Sequence, residues 1–369
     1  MAIVLPPREG FSPGAVGAIG LLVHRLSDPE DLILGRPLDQ PPFADRRFVP
    51  VRVPGWPRHP LVSGTGARYA AAAARLLAEA RPDLIEVHNR PEVASVLARR
   101  FPRTPVCLFL HNDPQSMRGA RSPRARRALA GRMRIVVVSD YLRGRFLEGV
   151  GPGIAVGLLP NCLDLAALPP LRPVEARDRL ILFAGRLVAD KGADSFVAAC
   201  AQVLPSLPGW RAEMIGADRF LPGAPDTPFL AMLRPAARQA GVGLTGYQTH
   251  AAVLEAMARA AIVVVPSRWM EPFGLTALEA MACGAALVSS PRGGLAALVA
   301  DAALFIDPDR PATLAAALLR LGRSETERVR LSIAGLARAQ TFDLPEAHAR
   351  LRALRREVPG SFPWTPRSG

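Results

Sequence analysis

The segment Ala261-Ile262-Val263-Val264-Val265-Pro266-Ser267-Arg268-Trp269-Met270-Glu271-Pro272-Phe273-Gly274-Leu275-Thr276-Ala277-Leu278-Glu279-Ala280-Met281-Ala282-Cys283-Gly284 decides the fold. Its opening apolar run predicts a strand, and a short loop separates that strand from a helical pattern. Pro272 suits a first helical position and Gly284 suits the residue past the helix end. The helix is therefore expected to begin near Phe273, with its free N–H groups beside Gly274, where nothing bulky blocks an anion. Glu271 stands just before this helix and Glu279 about two turns into it, roughly 10 Å apart at about 1.5 Å per residue. One carboxylate could accept hydrogen bonds from sugar hydroxyls and the other from ribose hydroxyls. A diphosphate would lie between them on the helix start.

A second stretch supports that reading. Of 46 Lys+Arg residues only Lys191 is a lysine, in Leu182-Phe183-Ala184-Gly185-Arg186-Leu187-Val188-Ala189-Asp190-Lys191-Gly192. Lysine puts a point charge on a thin stem that reaches a crowded phosphate, whereas arginine presents a planar fork. Arg186 and Lys191, in one loop after an apolar strand, are expected to offset the charge of a leaving diphosphate with no metal ion. Asp307-Pro308-Asp309 has the spacing of a metal-binding pair. It sits just before an expected helix at 312–322, where aspartates cap and complement the dipole.

Outward from these loops the chain alternates strand and helix throughout. Runs 1–5, 84–87, 105–111, 135–138 and 154–159 read as strands of one sheet, and 180–184, 212–215, 261–265, 286–289 and 303–306 as strands of a second. Ala-rich amphipathic stretches at 67–80, 194–204, 251–260 and 312–322 read as helices. The fold class is α/β, two doubly wound Rossmann-like domains facing across a cleft. The expected bounds are 1–165, 166–345 and a final segment 346–369, with a proline-bearing linker over 165–178, a long loop over 217–229 and a loose tail from Pro359. A length of 369 residues suits two domains.

At the carboxyl ends of the first sheet's strands stand His111, after strand 105–111, and His88 with Asn89, after strand 84–87. In parallel sheets that edge binds ligands. His111 is a candidate catalytic residue, and His88 and Asn89 are candidate acceptor contacts. His24, His59, His250 and His348 have no such placement. The loop Gly10-Phe11-Ser12-Pro13-Gly14-Ala15-Val16-Gly17-Ala18-Ile19-Gly20 lacks the Gly-x-Gly-x-x-Gly dinucleotide fingerprint.

Together these pieces resemble the retaining glycosyltransferases of family 4, which have the GT-B fold, and among them the bacterial envelope and lipopolysaccharide types. The matching pieces are the Gly-Arg…Lys-Gly loop 185–192 and Glu271-x7-Glu279, followed by Gly293-Gly294. Val138-Ser139-Asp140-Tyr141-Leu142, Leu159-Pro160-Asn161-Cys162-Leu163-Asp164 and Leu244-Thr245-Gly246-Tyr247 also match, with Cys162 where the family usually has glycine. The resemblance implies transfer of a hexose, with retention, from a nucleotide diphosphate sugar such as UDP-hexose to a saccharide or lipid-linked acceptor. It implies that Glu271 and His111 act at the sugar and that Gly17, Arg186, Lys191, Tyr247, Phe273, Gly274, Leu275 and Glu279 bind the donor. It also implies that the last helix, 345–356, crosses back to the first domain. No cofactor or metal is expected. A nucleotide-sugar-binding protein without transfer activity, and a glycogen or sucrose synthase-like metabolic transferase, are the alternatives.

The net charge of +14 is uneven. Arg118, Arg121, Arg124, Arg126, Arg127, Arg132 and Arg134 crowd one stretch of the first domain, as suits an anionic membrane surface. Nucleic acid is not expected as a partner, because no aromatic residue lies between 110 and 140 to stack on bases. No apolar run reaches the ~18 residues of a membrane span. The N-terminus does not read as a secretion signal, and four scattered cysteines suggest neither zinc nor a disulfide framework. The expected location is cytoplasmic, peripheral on the inner face of the membrane.

Overall fold

A computed structural model describes residues 1–13, 15–53, 65–218 and 226–357. The chain divides into two compact units. One takes in Met1–Cys162 together with the helix Leu344–Arg356, and the other is Leu163–Asp343.

The first unit carries β1 (Ala2–Val4), β2 (Phe11–Ser12), β3 (Ala15–Val16), β4 (Leu32–Gly35), β5 (Arg47–Pro50), β6 (Ile85–His88), β7 (Val106–Leu110), β8 (Arg134–Val137) and β9 (Val156–Leu158). Seven of these form a parallel sheet in the order β5-β4-β1-β6-β7-β8-β9, while β2 and β3 make a small antiparallel hairpin. The central strands β1, β6 and β7 are buried along their whole length, as continuous apolar runs in a doubly covered sheet require.

The second unit carries β10 (Asp178–Ala184), β11 (Arg211–Ile215), β12 (Val242–Gly246), β13 (Ala260–Val265), β14 (Ala286–Ser289) and β15 (Ala303–Phe305), all parallel, in the order β12-β11-β10-β13-β14-β15. In both units the strand order reverses at a central pair, β1/β6 in the first and β10/β13 in the second. Crevices at the carboxyl ends of such pairs are where doubly wound sheets bind ligands.

Besides the two-residue strands of the β2–β3 hairpin, three strands of the parallel sheets escape the sequence pattern: β4, β5 and β12. Strands β5 and β12 are sheet edges, half exposed, and β12 reads Val-Gly-Leu-Thr-Gly, so neither makes an apolar run. Strand β4 is buried but only four residues long. The expected linker holds two single 3₁₀ turns, Leu165–Ala167 and Val174–Ala176. Most of the expected loop at 217–229 and all of the tail from Pro359 lie outside the described residues, and Pro228 and Phe229 already belong to the helix Pro228–Gln239.

The helix Leu344–Arg356 packs Ala347 and Leu351 against Leu22, Leu26, Phe109 and Leu159. Near its end Arg355 makes a two-pronged ion pair with Glu86 of β6, Nε to Oε1 at 2.8 Å and Nη2 to Oε2 at 3.1 Å, both side chains buried. This strand glutamate has no other cation within ion-pair distance among the described residues.

Candidate active site

In the second unit the loops after β10 and β13 supply the site. After β10 comes Arg186, exposed and without an ion-pair partner among the described residues. A single 3₁₀ turn, Ala189–Lys191, follows, closed by Gly192 at φ 71°. A Cβ on Gly192 would stand 2.1 Å from the carbonyl oxygen of Pro266, so glycine lets the lysine turn dock directly on the end of β13. The dock is completed by Asp190, whose carbonyl accepts from the N–H groups of Arg268 and Trp269, both at 2.9 Å.

This docking sets the lysine beside the glutamate. Lys191 Nζ donates to Glu271 Oε1, and Ser267 Oγ donates to the same oxygen at 2.7 Å. Ser290 Oγ in turn donates to the carbonyl of Ser267 at 2.6 Å. The Glu271 backbone pairs with Gly293 and accepts from Gly294 N–H at 2.7 Å. The carboxylate is thus held from the β13 loop, the β14 loop and the lysine turn at once.

The helix is Leu275–Ala282, with Gly274 as its N-cap at φ 108° and Gly284 past its end at φ 74°. It starts two residues later than the sequence suggests, so Pro272 lies in the preceding turn and Glu279 sits one turn in. The N–H groups of Ala277 and Leu278 go to the Gly274 carbonyl. Leu275 and Thr276, the first two residues of the helix, line a cavity of about 390 Å³, open mouth included, which Lys191, Ser267, Glu271 and Gly274 also line. Phe273 is buried with its ring edge-on to Phe342, centroids 5.7 Å apart, and does not line that cavity. Glu279 is buried and its Oε1 lies 2.7 Å from His250 Nε2. Tyr247 stands exposed after β12.

In the first unit, the loop after β1 folds Glu9 back over the start of the helix Ala18–Leu26. Glu9 Oε1 accepts from Gly20 N–H at 2.9 Å, and a Cβ on Gly17 would meet it at 2.4 Å. The approach to Gly17 is thus filled by the chain's own carboxylate. Burial pushes the Glu9 pKa up, against the pull of the Gly20 and Gly17 amides. After β6 and β7, His88 Nδ1 lies 3.0 Å from His111 Nε2, both rings buried, and Asn89 Oδ1 accepts from His111 N–H at 3.1 Å. His88 and Asn89 are therefore partners of His111.

Residues 31–167 match the family model described as Glycosyltransferase Family 4, and residues 172–338 that described as Glycosyl transferases group 1. The chain belongs to the group 1, family 4-like glycosyltransferases of GT-B fold. Among its relatives is a glycogen synthase of Mycobacterium tuberculosis, 27% identical over 232 residues, which are 62% of this chain and 50% of that protein. The chain spans about half the length of that relative. Among solved structures, sucrose-phosphate synthase from Thermosynechococcus elongatus superposes with a TM-score of 0.77 at 20% identity, over 96% of this chain and 98% of that one. Anabaena Alr3699/HepE in complex with UDP-glucose gives 0.74 at 19% identity, over 97% and 99%. At these identities the two structures share a fold with the chain.

Two residues of the second unit's site in this glycosyltransferase, and one beside Gly17 in the first unit, carry no signal in the sequence. Ser267 gave no signal beyond its place after a strand. His250 begins a helix and meets Glu279 across 29 residues. Glu9 lies before the glycine-rich loop and was hidden by it. The arginine cluster also needs correction. Arg126 is buried, its guanidinium donating to the carbonyls of Phe146, Ala120, Arg121 and Glu148, so it staples the fold and cannot face a membrane. Arg127 donates to the Val150 carbonyl and Arg134 pairs with Glu357. Arg118, Arg121, Arg124 and Arg132 remain exposed and unpaired among the described residues. Asp309 of the Asp-x-Asp pair is engaged by Arg268 and Arg292. No described helix is long and apolar enough to cross a membrane.

Proposed function

We propose that this chain transfers a hexose, with retention, from a nucleotide diphosphate sugar such as UDP-hexose to a saccharide or lipid-linked envelope acceptor. The observation that carries this reading is the convergence at the β10/β13 reversal of Lys191, held by Glu271, with the first-turn N–H groups of Leu275 and Thr276. A diphosphate bound there meets an ammonium and a helix start, and Arg186 adds an unpaired guanidinium in the same loop. These groups offset the charge of the leaving nucleotide without a metal. On this reading Glu279, one turn along, takes the ribose and Glu271 the sugar. Anabaena Alr3699/HepE, of the same fold, is seen in complex with UDP-glucose, which supports a UDP-sugar donor.

The test is turnover and thermal shift across a panel of nucleotide sugars, with and without EDTA. A true donor raises the melting temperature with occupancy, is consumed when acceptor is present, and is unaffected by EDTA. Stabilisation without turnover on any acceptor would favour a binding-only protein. The names of the matched relatives, glycogen synthase and sucrose-phosphate synthase, favour as second reading a soluble metabolic acceptor. Anionic liposomes separate the two. An envelope enzyme is expected to sediment with them through Arg118, Arg121, Arg124 and Arg132, at about 1 kcal/mol each, and to be released by salt. Changing those four to Gln abolishes sedimentation on this reading and leaves it unaltered on the other.

A further inference from the structure

We propose that His88 is a positioning residue that fixes His111 with its proton on Nδ1, and that Arg355, on the helix Leu344–Arg356, sets this choice. The two histidines face each other through one hydrogen bond, Nδ1 of His88 to Nε2 of His111 at 3.0 Å. Burial holds both pKa values down, His88 to about 3 with Arg355 as the second cause, and His111 with His88 as the second cause. Each ring is therefore neutral and carries one proton on one of its two nitrogens.

Only two arrangements keep the bond. In one, His88 Nδ1–H donates, and His111 must carry its own proton on Nδ1. In the other, His111 Nε2–H donates, and His88 must carry its proton on Nε2. That atom is buried and has no hydrogen-bond partner. Glu86 and His88 are two residues apart on β6 and share a face, so His88 borders the small cavity that Arg355, Leu22, Leu26 and Phe109 also line. An N–H placed there would be orphaned beside a guanidinium, because the Glu86 carboxylate that also lines the cavity has both oxygens on Arg355 and His88 Nε2 reaches no acceptor. A lone pair in the same position faces that cation favourably. The first arrangement follows, and His111 presents a fixed N–H donor at the carboxyl edge of the sheet.

The surroundings hold both rings in place. His88 stacks on Phe109 with centroids 4.8 Å apart and planes 12° from parallel. Asn89 adopts φ 56°, unusual for a residue with a Cβ, and from there its Oδ1 takes the His111 backbone N–H. A fixed Nδ1–H donates to an oxygen and neither takes nor gives a proton. On the reading of His111 as a sugar contact, it therefore orients and polarises a donor-sugar oxygen.

The test is two-bond ¹H–¹⁵N correlation spectroscopy on the full chain labelled at histidine. Both His88 and His111 are expected to be protonated at Nδ1 and bare at Nε2, and a proton on His111 Nε2 overturns the proposal. In His88→Phe, which keeps a ring against Phe109, His111 is expected to lose its single tautomer. Its kcat is expected to fall about tenfold, equivalent to ~1.4 kcal/mol, with donor KM within about twofold. An unchanged His111 tautomer in this variant overturns the role of His88. In the charge-free pair Glu86→Leu/Arg355→Met, both tautomers of His111 are expected, and a single Nδ1–H species removes Arg355 from the account. Wild-type turnover in His111→Ala would sink the sugar-contact reading alone, since the spectrum decides the tautomer independently.

Discussion

At the residue scale, the pair Lys191–Glu271 couples binding to chemistry, because the ammonium that would meet the diphosphate is parked on the carboxylate that would meet the sugar. Lys191→Ala is expected to weaken donor binding by about 1.5–3 kcal/mol, the worth of a charged hydrogen bond. Lys191→Arg should not restore it, since a planar fork does not reproduce the point contact that the ammonium makes on Glu271 Oε1 beside Ser267 Oγ. Isothermal titration with UDP reads both, and wild-type affinity in Lys191→Ala would remove the lysine from the site. The glutamates should separate. Glu271→Gln is expected to lower kcat with donor KM little changed, and Glu279→Gln to raise donor KM with kcat little changed, because a ribose contact acts on ground and transition states alike. The same pattern in both variants would sink the division of roles. Lys191, Glu271 and Gly274 were legible in the sequence because each sits within a few residues of a strand end or helix start. His250, Ser267 and the capping Glu9 were not. His250 meets Glu279 from another helix and Glu9 reaches back to the next helix start, contacts of which local spacing carries no record, while Ser267 stands four residues before Glu271 but a serine after a strand is no signal by itself.

At the element scale, the helix Leu275–Ala282 starts late because Gly274 adopts φ 108° and tucks against Leu295 and Leu298. A Cβ there would lie 2.4 Å from Leu295 Cδ2. Gly274→Ala is thus expected to cost ~1–3 kcal/mol of stability through backbone strain alone. It should also weaken nucleotide binding, by turning the Leu275 and Thr276 N–H groups. A melting temperature and a UDP affinity equal to wild type would show that the helix start tolerates a side chain. The strand–helix alternation was readable because parallel strands covered on both faces are continuous apolar runs. The half-exposed edges β5 and β12 lack that signature, and β4 is short. The two-residue error at the helix start has a similar origin: Pro272 is compatible with a first helical turn, and the left-handed Gly274 that follows it, packed against Leu295 and Leu298, keeps it outside.

At the scale of the whole molecule, two features should govern stability. The first is the pair of buried neutral histidines, with Arg355 and Glu86 facing His88. In the unfolded chain each titrates near its ordinary value of about 6.5. Above that pH neither state binds the protons, and the stability contribution is intact. Below it the unfolded chain gains protons that the fold refuses, so stability is lost by up to ~1.4 kcal/mol per pH unit per histidine, down toward the His88 value of about 3. The buried carboxyls Glu9 and Asp31, whose pKa values are raised, work in the opposite sense at the acid end. Urea unfolding between pH 7.5 and 4.5 should show the loss, and His88→Phe should make it shallower. An equal slope in the variant would exclude His88 as its source. The second feature is the Glu86–Arg355 pair. Arg355→Met is expected to cost ~3–5 kcal/mol by stranding a buried carboxylate, while Glu86→Leu/Arg355→Met should recover most of it. A double variant no more stable than the single one would show that the loss comes from packing. Glu86 meets its cation across 269 residues. On the ribosome, at ~5–20 residues per second, the strand that holds Glu86 and His88 emerges roughly 13–54 s before the arginine that completes it. From the making of β9 until the end of that interval the first unit has every strand of its sheet and lacks the helix that neutralises its interior. The nascent chain should therefore stay open to chaperones and proteases until the last turn of helix is made, and the second unit will have had time to fold before the first can close.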